Sequence, residues 1–242
     1  MQLYFIRHGQ SENNQLWVQT GSSEGRNEDP DLTETGRKQA QRLAEFLAAP
    51  GVNQAGLPPR YDAHDVYGFH LSHLYCSPMI RAIETGQAIS QSVGLPLVTW
   101  VDLHEVGGIH QADPETGERM GLPGKRRKFF EEKYPGLELP ETLGDDGWWN
   151  RPYESREERP SRARRFLTEL LARHGDSQDR VAVVSHGGFY NHVMRAILEM
   201  PPGISPWFSI NNTAITRIGF EEEQIWISYT NRVDFLPPEL IT

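Results

Sequence analysis

The first nine residues constrain the fold more than any other stretch of this chain. Leu3-Tyr4-Phe5-Ile6 is an unbroken apolar run, and it stops abruptly at Arg7-His8-Gly9. A strand that is apolar on both faces is covered on both sides, as in a parallel sheet sandwiched between helices. In open sheets of that kind, ligands bind just beyond the carboxyl ends of the strands. An arginine and a histidine delivered there suit an anion. Gly9 permits either a sharp turn or the close approach of a ligand.

The chain beyond alternates strands with helices. Leu71 to Cys76, Pro96 to Val101 and Arg180 to Ser185 read as further strands, and Trp207 to Ile210, Ala214 to Phe220 and Gln224 to Tyr229 as three short closing ones. A short helix is expected around Asn14 to Gln19. Thr33 reads as the N-cap of a longer helix with Ala40, Leu43, Ala44 and Leu47 on one face, stopped by Pro50-Gly51. Ser77-Pro78 reads as N-cap and first turn of another, with Ile80, Ile83, Ala88 and Ile89 inward. Two more run from about Glu157 to His174 and from His186-Gly187-Gly188 through Leu198. Residues 50 to 68 read as an excursion loop. The pattern predicts an α/β fold over residues 1–242: one domain, a three-layer α/β/α sandwich with a mostly parallel central sheet. Only residues 106–156 break it, with one helix near Lys125 to Tyr134 and two adjacent tryptophans, Trp148 and Trp149. A long, weakly regular segment inside a compact fold is usually a functional lid.

Three of the strand ends carry related chemistry. The first delivers Arg7 and His8, the second Ser77 and, a helical turn on, Arg81, and the Val-Ala-Val-Val strand delivers His186 with two glycines behind it. Two of these junctions are helix N-termini, whose free N–H groups and dipole favour an anion. Two histidines, two arginines and backbone donors at one sheet edge fit a phosphoryl dianion, which arginine meets bidentately. The formal net charge of −9 argues against nucleic acid or an acidic membrane surface as partner, but leaves an anionic small molecule open. The single cysteine, Cys76, excludes an intrachain disulfide and is expected to be buried at its strand end. Neither a signal peptide nor a membrane-spanning stretch is visible, so a cytoplasmic protein is expected, with a homodimer left open.

Arg7-His8-Gly9 after an N-terminal strand resembles the signature of the histidine phosphatase superfamily, in its phosphoglycerate mutase-like branch. The resemblance continues in the family's order across about 200 residues. Arg-His-Gly-Gln-Ser-Glu-Asn-Asn places Asn14 at the phosphate-contacting asparagine, with Asn13 beside it as an alternative. Leu32-Thr33-Glu34-Thr35-Gly36 with Gln39-Ala40 is similar to the start of the family's first long helix. Ser77-Pro78-Met79-Ile80-Arg81-Ala82-Ile83-Glu84-Thr85 and Ser185-His186-Gly187-Gly188 match two further motifs. Leu103-His104-Glu105 falls where the family keeps its catalytic acid, with Asp102 and Glu115 as competing carboxylates. The resemblance implies His8 as nucleophile, forming a phosphohistidine. Arg7, Arg81 and His186 would hold the phosphoryl oxygens, and Glu105 would act as acid and then base. Asn14, Ser77 and Gly187 would contact substrate. No cofactor and no metal are implied, since the arginines and His186 carry the charge work.

Several other readings compete. Asp29-Pro30-Asp31-Leu32-Thr33 fits a haloacid dehalogenase pattern but lacks the apolar strand that must precede it. Cys76 and Arg81 are one residue too close for the loop of cysteine-dependent phosphatases. His104 with His110, or His70 with His73, lack the spacing of zinc motifs. Within the resemblance, Glu105-Val106-Gly107-Gly108-Ile109-His110 keeps the glutamate of the glycolytic mutases but not their arginine and tyrosine. That departure favours a metal-independent phosphomonoester hydrolase acting on a small phosphorylated metabolite. A cofactor-dependent phosphoglycerate mutase-type enzyme is the alternative, and a non-catalytic phosphate-binding module a third reading. Lys125-Arg126-Arg127-Lys128 reads either as a solvated helix face or as a lid contact to a second negative group on the substrate. Trp148-Trp149 either closes a hydrophobic cluster or walls the pocket.

Overall fold

The computed structural model describes residues 1–52, 62, 64–201, 203, 206–221 and 224–242. Most of the expected excursion loop therefore lies outside the described residues. Strand β1 (Gln2–Arg7) is the hub: it pairs with β6 (Arg180–Ser185) in parallel and with β7 (Ile215–Glu221) antiparallel. With β2 (His73–Cys76), β3 (Leu97–Thr99) and β8 (Gln224–Arg232) the sheet order is β3-β2-β6-β1-β7-β8. The first four are mutually parallel, and the antiparallel pair β7–β8 closes one side.

The two faces of β1 seed the two halves of the core. Tyr4 and Ile6 point into a cluster containing Leu43 and Leu47 of helix α2 (Glu34–Ala48) and Ile80 and Ile83 of α3 (Ile80–Val93). Leu3 and Phe5 point the other way, against Phe166 and Leu170 of α5 (Glu158–His174) and Phe189 and Val193 of α6 (Gly187–Ile197). Residues 3–6 are completely buried, as a strand apolar on both faces requires. The expected three layers, α/β/α, are present.

Three local expectations are corrected. Trp207 to Ile210 is not a strand. Its backbone groups are taken by side chains instead, Phe208 by the Asn191 amide (2.7 and 3.1 Å) and the Ile210 carbonyl by Arg7. Ser77 does not cap α3. The helix begins two residues later, and its Ile80 N–H donates to Oδ1 of Asp29, a buried carboxylate from a distant loop (3.0 Å). Gly9 is required by helix packing rather than by a ligand, since a Cβ there would lie 2.6 Å from the Gly36 carbonyl oxygen of α2.

Between β3 and α5 the chain builds a small antiparallel hairpin, β4 (His110–Ala112) with β5 (Arg119–Gly121), and a two-turn helix α4 (Arg127–Lys133). Trp148 and Trp149 are buried in the core beneath it, Trp149 packed edge-on against His104 at 4.6 Å. A further helix, α1 (Glu12–Thr20), follows β1. Among the described residues no helix is long and apolar enough to cross a membrane.

Candidate active site

Beyond the carboxyl ends of β1, β2 and β6 lies a cavity of about 540 Å³ whose wall includes Arg7, His8, Asn14, Arg81, Glu105 and Gly187. Six of the eight expected site residues thus share one cavity. His186 and Ser77 are fully buried just behind it.

His8 follows the last residue of β1, where the ladder to β6 ends, and its N–H donates to the Ser185 carbonyl (2.9 Å). Its ring nitrogen Nδ1 lies 2.6 Å from the Gly9 carbonyl oxygen. A carbonyl only accepts, so Nδ1 carries the proton and Nε2 keeps its lone pair. That Nε2 accepts from Arg81 Nε at 3.2 Å. Burial, reinforced by the charges of Arg81 and Arg7, holds His8 well below the usual imidazole range. The ring is therefore neutral near pH 7, with Nε2 unprotonated and its lone pair held by Arg81. Behind it, Asn212 donates to the His8 carbonyl (2.9 Å), and the Thr213 N–H reaches the Arg7 and His8 carbonyls (3.0 and 3.3 Å). Thr213 does so at φ 59°, a strained conformation for a β-branched residue.

His186 stands 5.0 Å from His8, ring to ring. Its Nε2 lies 2.8 Å from Ser77 Oγ, which itself accepts from the Met79 N–H (3.2 Å). Ser77 can give its hydroxyl proton to His186 Nε2, and in that tautomer Nδ1 carries the ring proton and faces the cluster as a donor. Ser77 orients His186 rather than touching the cavity. Burial and the Arg81 charge hold His186 well below the usual imidazole range as well. Its Nδ1, together with Arg7 Nε and Arg81 Nη1, is buried without a hydrogen-bond partner. Buried polar groups are seldom left without a partner, and Arg7 Nε and His186 Nδ1 beside the Arg81 guanidinium and His8 describe a place for anionic oxygens. Asp29 backs Arg81 at 3.8 Å. Burial raises the Asp29 carboxyl to about 7, against the opposing pull of Arg81.

Glu105 enters from the turn after β3. Its carboxylate sits over the start of α6, accepting from the N–H groups of Gly188 (3.2 Å), Phe189 (3.0 Å) and its neighbour Val106 (2.8 Å). Gly188 makes room: a Cβ there would lie 2.4 Å from Glu105 Oε1. The turn is anchored by Arg162 of α5. Its Nη1 donates to the carbonyls of Asp102 and His104 (2.6 and 2.9 Å), while Nε and Nη2 grip Glu154 (2.6 and 2.9 Å). The competing carboxylates are elsewhere engaged, Asp102 with Arg165 at 2.7 Å and Glu115 in an exposed turn.

Asn14 reaches the cavity, but its Oδ1 already serves the capping box of α1 and the Asn212 amide (3.2 Å). Asn13 also lines the wall, its side chain pairing with the Asn27 backbone (2.7 and 3.0 Å). Lys125 to Lys128 does not line it. Arg127 ties α4 to the following loop through the Leu143 and Pro140 carbonyls, and Lys128 faces Glu132. The cavity's outer wall comes from residues the sequence did not single out, Arg26, Arg119, Tyr153 and Arg159, with Trp17 and Trp207 exposed at the mouth. Their signal was weak because they come from the loop after α1, the hairpin, the segment before α5 and α5 itself. Among the described residues one group could offer three ligands to a metal, His73, His174 and Asp179. It lies at the opposite end of β2 and β6, and His174 is already hydrogen-bonded to Asp179 (2.8 Å) and Tyr75 (3.1 Å).

The fold recurs in solved structures. A phosphoserine phosphatase from Entamoeba histolytica, in complex with 3-phosphoglyceric acid, superposes with a TM-score of 0.60 at 21% identity, covering 98% of this chain and 99% of that one. A mycobacterial glucosyl-3-phosphoglycerate phosphatase complexed with VO3 gives 0.58 at 20%, covering 96% and 99%. In sequence, the chain is 29% identical over 243 residues to a Hydrogenobacter thermophilus protein named "Putative phosphoserine phosphatase 2", covering 96% of this chain and 95% of that protein. It is 23% identical over 230 residues to "Probable phosphoglycerate mutase GpmB" of Proteus mirabilis, covering 94% and 88%. The family model for the histidine phosphatase superfamily (branch 1) matches residues 3–57 and 62–232, nearly the whole chain, and the chain belongs to that superfamily.

Proposed function

We propose that the protein is a metal-independent phosphomonoester hydrolase, acting through a phosphohistidine at His8 on a small phosphorylated metabolite. The observation that carries this reading is the neutral imidazole of His8 set in one buried cluster with the Arg7 and Arg81 guanidiniums and His186, where Arg7 Nε and His186 Nδ1 have no hydrogen-bond partner. The donors match a phosphoryl group's charge, and the lone pair matches its phosphorus. In the first step His8 Nε2 bonds to phosphorus as the bond to the leaving oxygen breaks, and Glu105 in its acid form gives that oxygen a proton. In the second, the Glu105 carboxylate takes a proton from water as the water oxygen attacks phosphorus. The N–P bond breaks, its electron pair returns to Nε2, and inorganic phosphate leaves. The guanidiniums stabilise the charge spread over the equatorial oxygens in both steps.

Two similar proteins are named as phosphatases of phosphoserine, and one structural neighbour as a phosphatase of a phosphoglycerate ester. These names support hydrolysis of a small metabolite. The mutase-named relatives, at 23% and 25% identity, share less sequence with this chain than the Hydrogenobacter protein does at 29%, and the segment after Glu105 lacks the mutase arginine and tyrosine. The test is hydrolysis of p-nitrophenyl phosphate in EDTA, with an acid-labile labelled phosphoenzyme that is absent in His8→Ala. A strict divalent-ion requirement would overturn the mechanism, and robust interconversion of 2- and 3-phosphoglycerate would overturn the preference for hydrolysis. A cytoplasmic location extends the same reading, tested by fractionation.

A further inference from the structure

The phosphoryl site occupies only one end of the cavity. At the outer wall three guanidiniums gather from three parts of the chain: Arg26 after α1, Arg119 on β5 and Arg159 in the first turn of α5. Among the described residues none of them forms a salt bridge, in a protein whose net charge is −9. Like charges gathered without a counter-charge cost free energy, so the wall wants an anion. Arg26 registers the cost, its guanidinium pushed down by burial and by the Arg119 charge against the opposing pull of Glu105 and Tyr153.

The groups around them have fixed hydrogen-bonding roles. Tyr153 Oη accepts from Arg119 Nη1 and from Arg159 Nη2 (2.8 Å). With both acceptor positions taken, the phenol's own proton is left to donate to a ligand. His110 Nδ1 faces the Gly108 carbonyl (3.0 Å), so its Nε2 lone pair takes Arg26 Nη1 (3.2 Å) and steadies that guanidinium. Burial pulls His110 down to about 4, which keeps this nitrogen an acceptor near neutral pH. Arg26 Nε and Arg159 Nε are buried without partners. The outer wall thus holds three cations, a phenol with a free proton and two unpaired guanidinium N–H groups, in the same cavity as His8.

We infer that this wall is a second anion subsite, and that the preferred substrate is a phosphomonoester carrying another anionic group, carboxylate or phosphate, at its far end. The inference rests on the hydrolytic reading and narrows it. Arg119, Arg159 and Tyr153 are then specificity determinants, acting on the part of the substrate that does not react.

Matched substrate pairs test it. 3-Phosphoglycerate against glycerol 3-phosphate, and phosphoserine against phosphoethanolamine, differ by the carboxylate. Fructose 1,6-bisphosphate against fructose 6-phosphate differs by a phosphate. In at least one arm the anionic member should be preferred tenfold or more in kcat/KM, mostly through KM, and the arm that responds identifies the group. In Arg119→Gln/Arg159→Gln that preference should shrink at least tenfold, equivalent to about 1.4 kcal/mol. Tyr153→Phe, which keeps the ring, should shrink it less. No preference in any arm, or a preference that survives the double variant, overturns the subsite. Phosphoenzyme trapping on the same wild-type protein separates the two levels. A labelled His8 without a preference overturns the subsite alone, while no label overturns the hydrolytic reading and the subsite with it.

Discussion

Replacing Glu105 with glutamine tests the proton-transfer role in a way that simple loss of activity cannot. The glutamine is nearly isosteric, but it has no proton to give and only one acceptor oxygen. The carboxylate now accepts three backbone N–H groups, two from the first turns of α6. A hydrogen bond to a charged acceptor contributes about 1.5–3 kcal/mol against about 0.5–1.5 for a neutral one. Removing the charge, with at least one donor left facing an amide NH2, should cost about 2–4 kcal/mol of stability. General acid catalysis contributes about 10²- to 10⁴-fold, and that loss should fall unequally. An alkyl phosphate leaves as a strongly basic alkoxide and needs the proton, whereas p-nitrophenyl phosphate leaves as a stable phenolate. Rapid-quench measurement, well below the variant's melting temperature, should show His8 phosphorylation slowed about 10²-fold or more with an alkyl phosphate. With p-nitrophenyl phosphate it should show a burst of about one p-nitrophenol per site followed by slow turnover, because the second step has lost its base. Gly188→Ala should give the same pattern more weakly, its Cβ 2.4 Å from Glu105 Oε1 displacing an intact acid. Equal slowing of phosphorylation with both substrates would refute the assignment of the acid.

Stability should fall as the pH drops below about 6.5. Burial lowers His8, His104 and His186 well beneath that value and His110 and His192 to about 4, so the unfolded chain binds protons the folded one refuses. The stabilisation is present above 6.5 and lost as pH falls towards the folded values, at up to about 1.4 kcal/mol per pH unit for each histidine. Asp29, raised to about 7, works the other way, losing stability as pH rises from about 4, so Asp29→Asn should steepen the acid loss. A melting temperature flat between pH 7 and 5 would refute this. Inorganic phosphate should raise the melting temperature by filling the unpaired donors, and Arg81→Lys should blunt the rise, which calorimetry with and without phosphate reads directly. Arg162→Met strands the buried Glu154 carboxylate and frees the His104 carbonyl. It should cost about 3–5 kcal/mol by denaturant unfolding and lower kcat with an alkyl phosphate.

The sheet and the reacting centre were legible because their signals are local. An apolar run ending in Arg7-His8-Gly9, and another ending in His186-Gly187-Gly188, state both the strand and what it delivers. The misreadings have a common cause, a local rule overridden by a distant side chain. Ser77-Pro78 has the look of a helix start, yet α3 is capped by Asp29, some fifty residues away. Trp207 to Ile210 has strand composition, but Asn191 and Arg7 took its backbone groups before another strand could. The outer wall was illegible for the same reason in reverse. Arg26, Arg119 and Arg159 are ordinary surface residues in sequence, and only the folded chain brings them to one cavity, while of the conspicuous run Lys125 to Lys128 it is Arg127 that ties neighbouring loop carbonyls together.

Glu105 links these two kinds of information. Its carboxylate is fastened to the N-terminus of α6, the element that also presents Gly187 beside Arg7. Its backbone belongs to the turn that leads into residues 106–156, and that turn is clamped from the other side by Arg162 and Glu154 of the α5 region. Glu105 is therefore positioned by the start of α6 at its charged end and by the Arg162–Glu154 clamp at its backbone end. On the proposed mechanism, changes to the hairpin carrying Arg119 should alter which substrate is held without moving Glu105, provided the Arg162–Glu154 clamp survives. Changes to the clamp shift the acid relative to His8 whatever the substrate. A substitution in the hairpin should consequently appear in KM and in substrate preference, and one in the clamp in kcat, even though the two lie against the same segment.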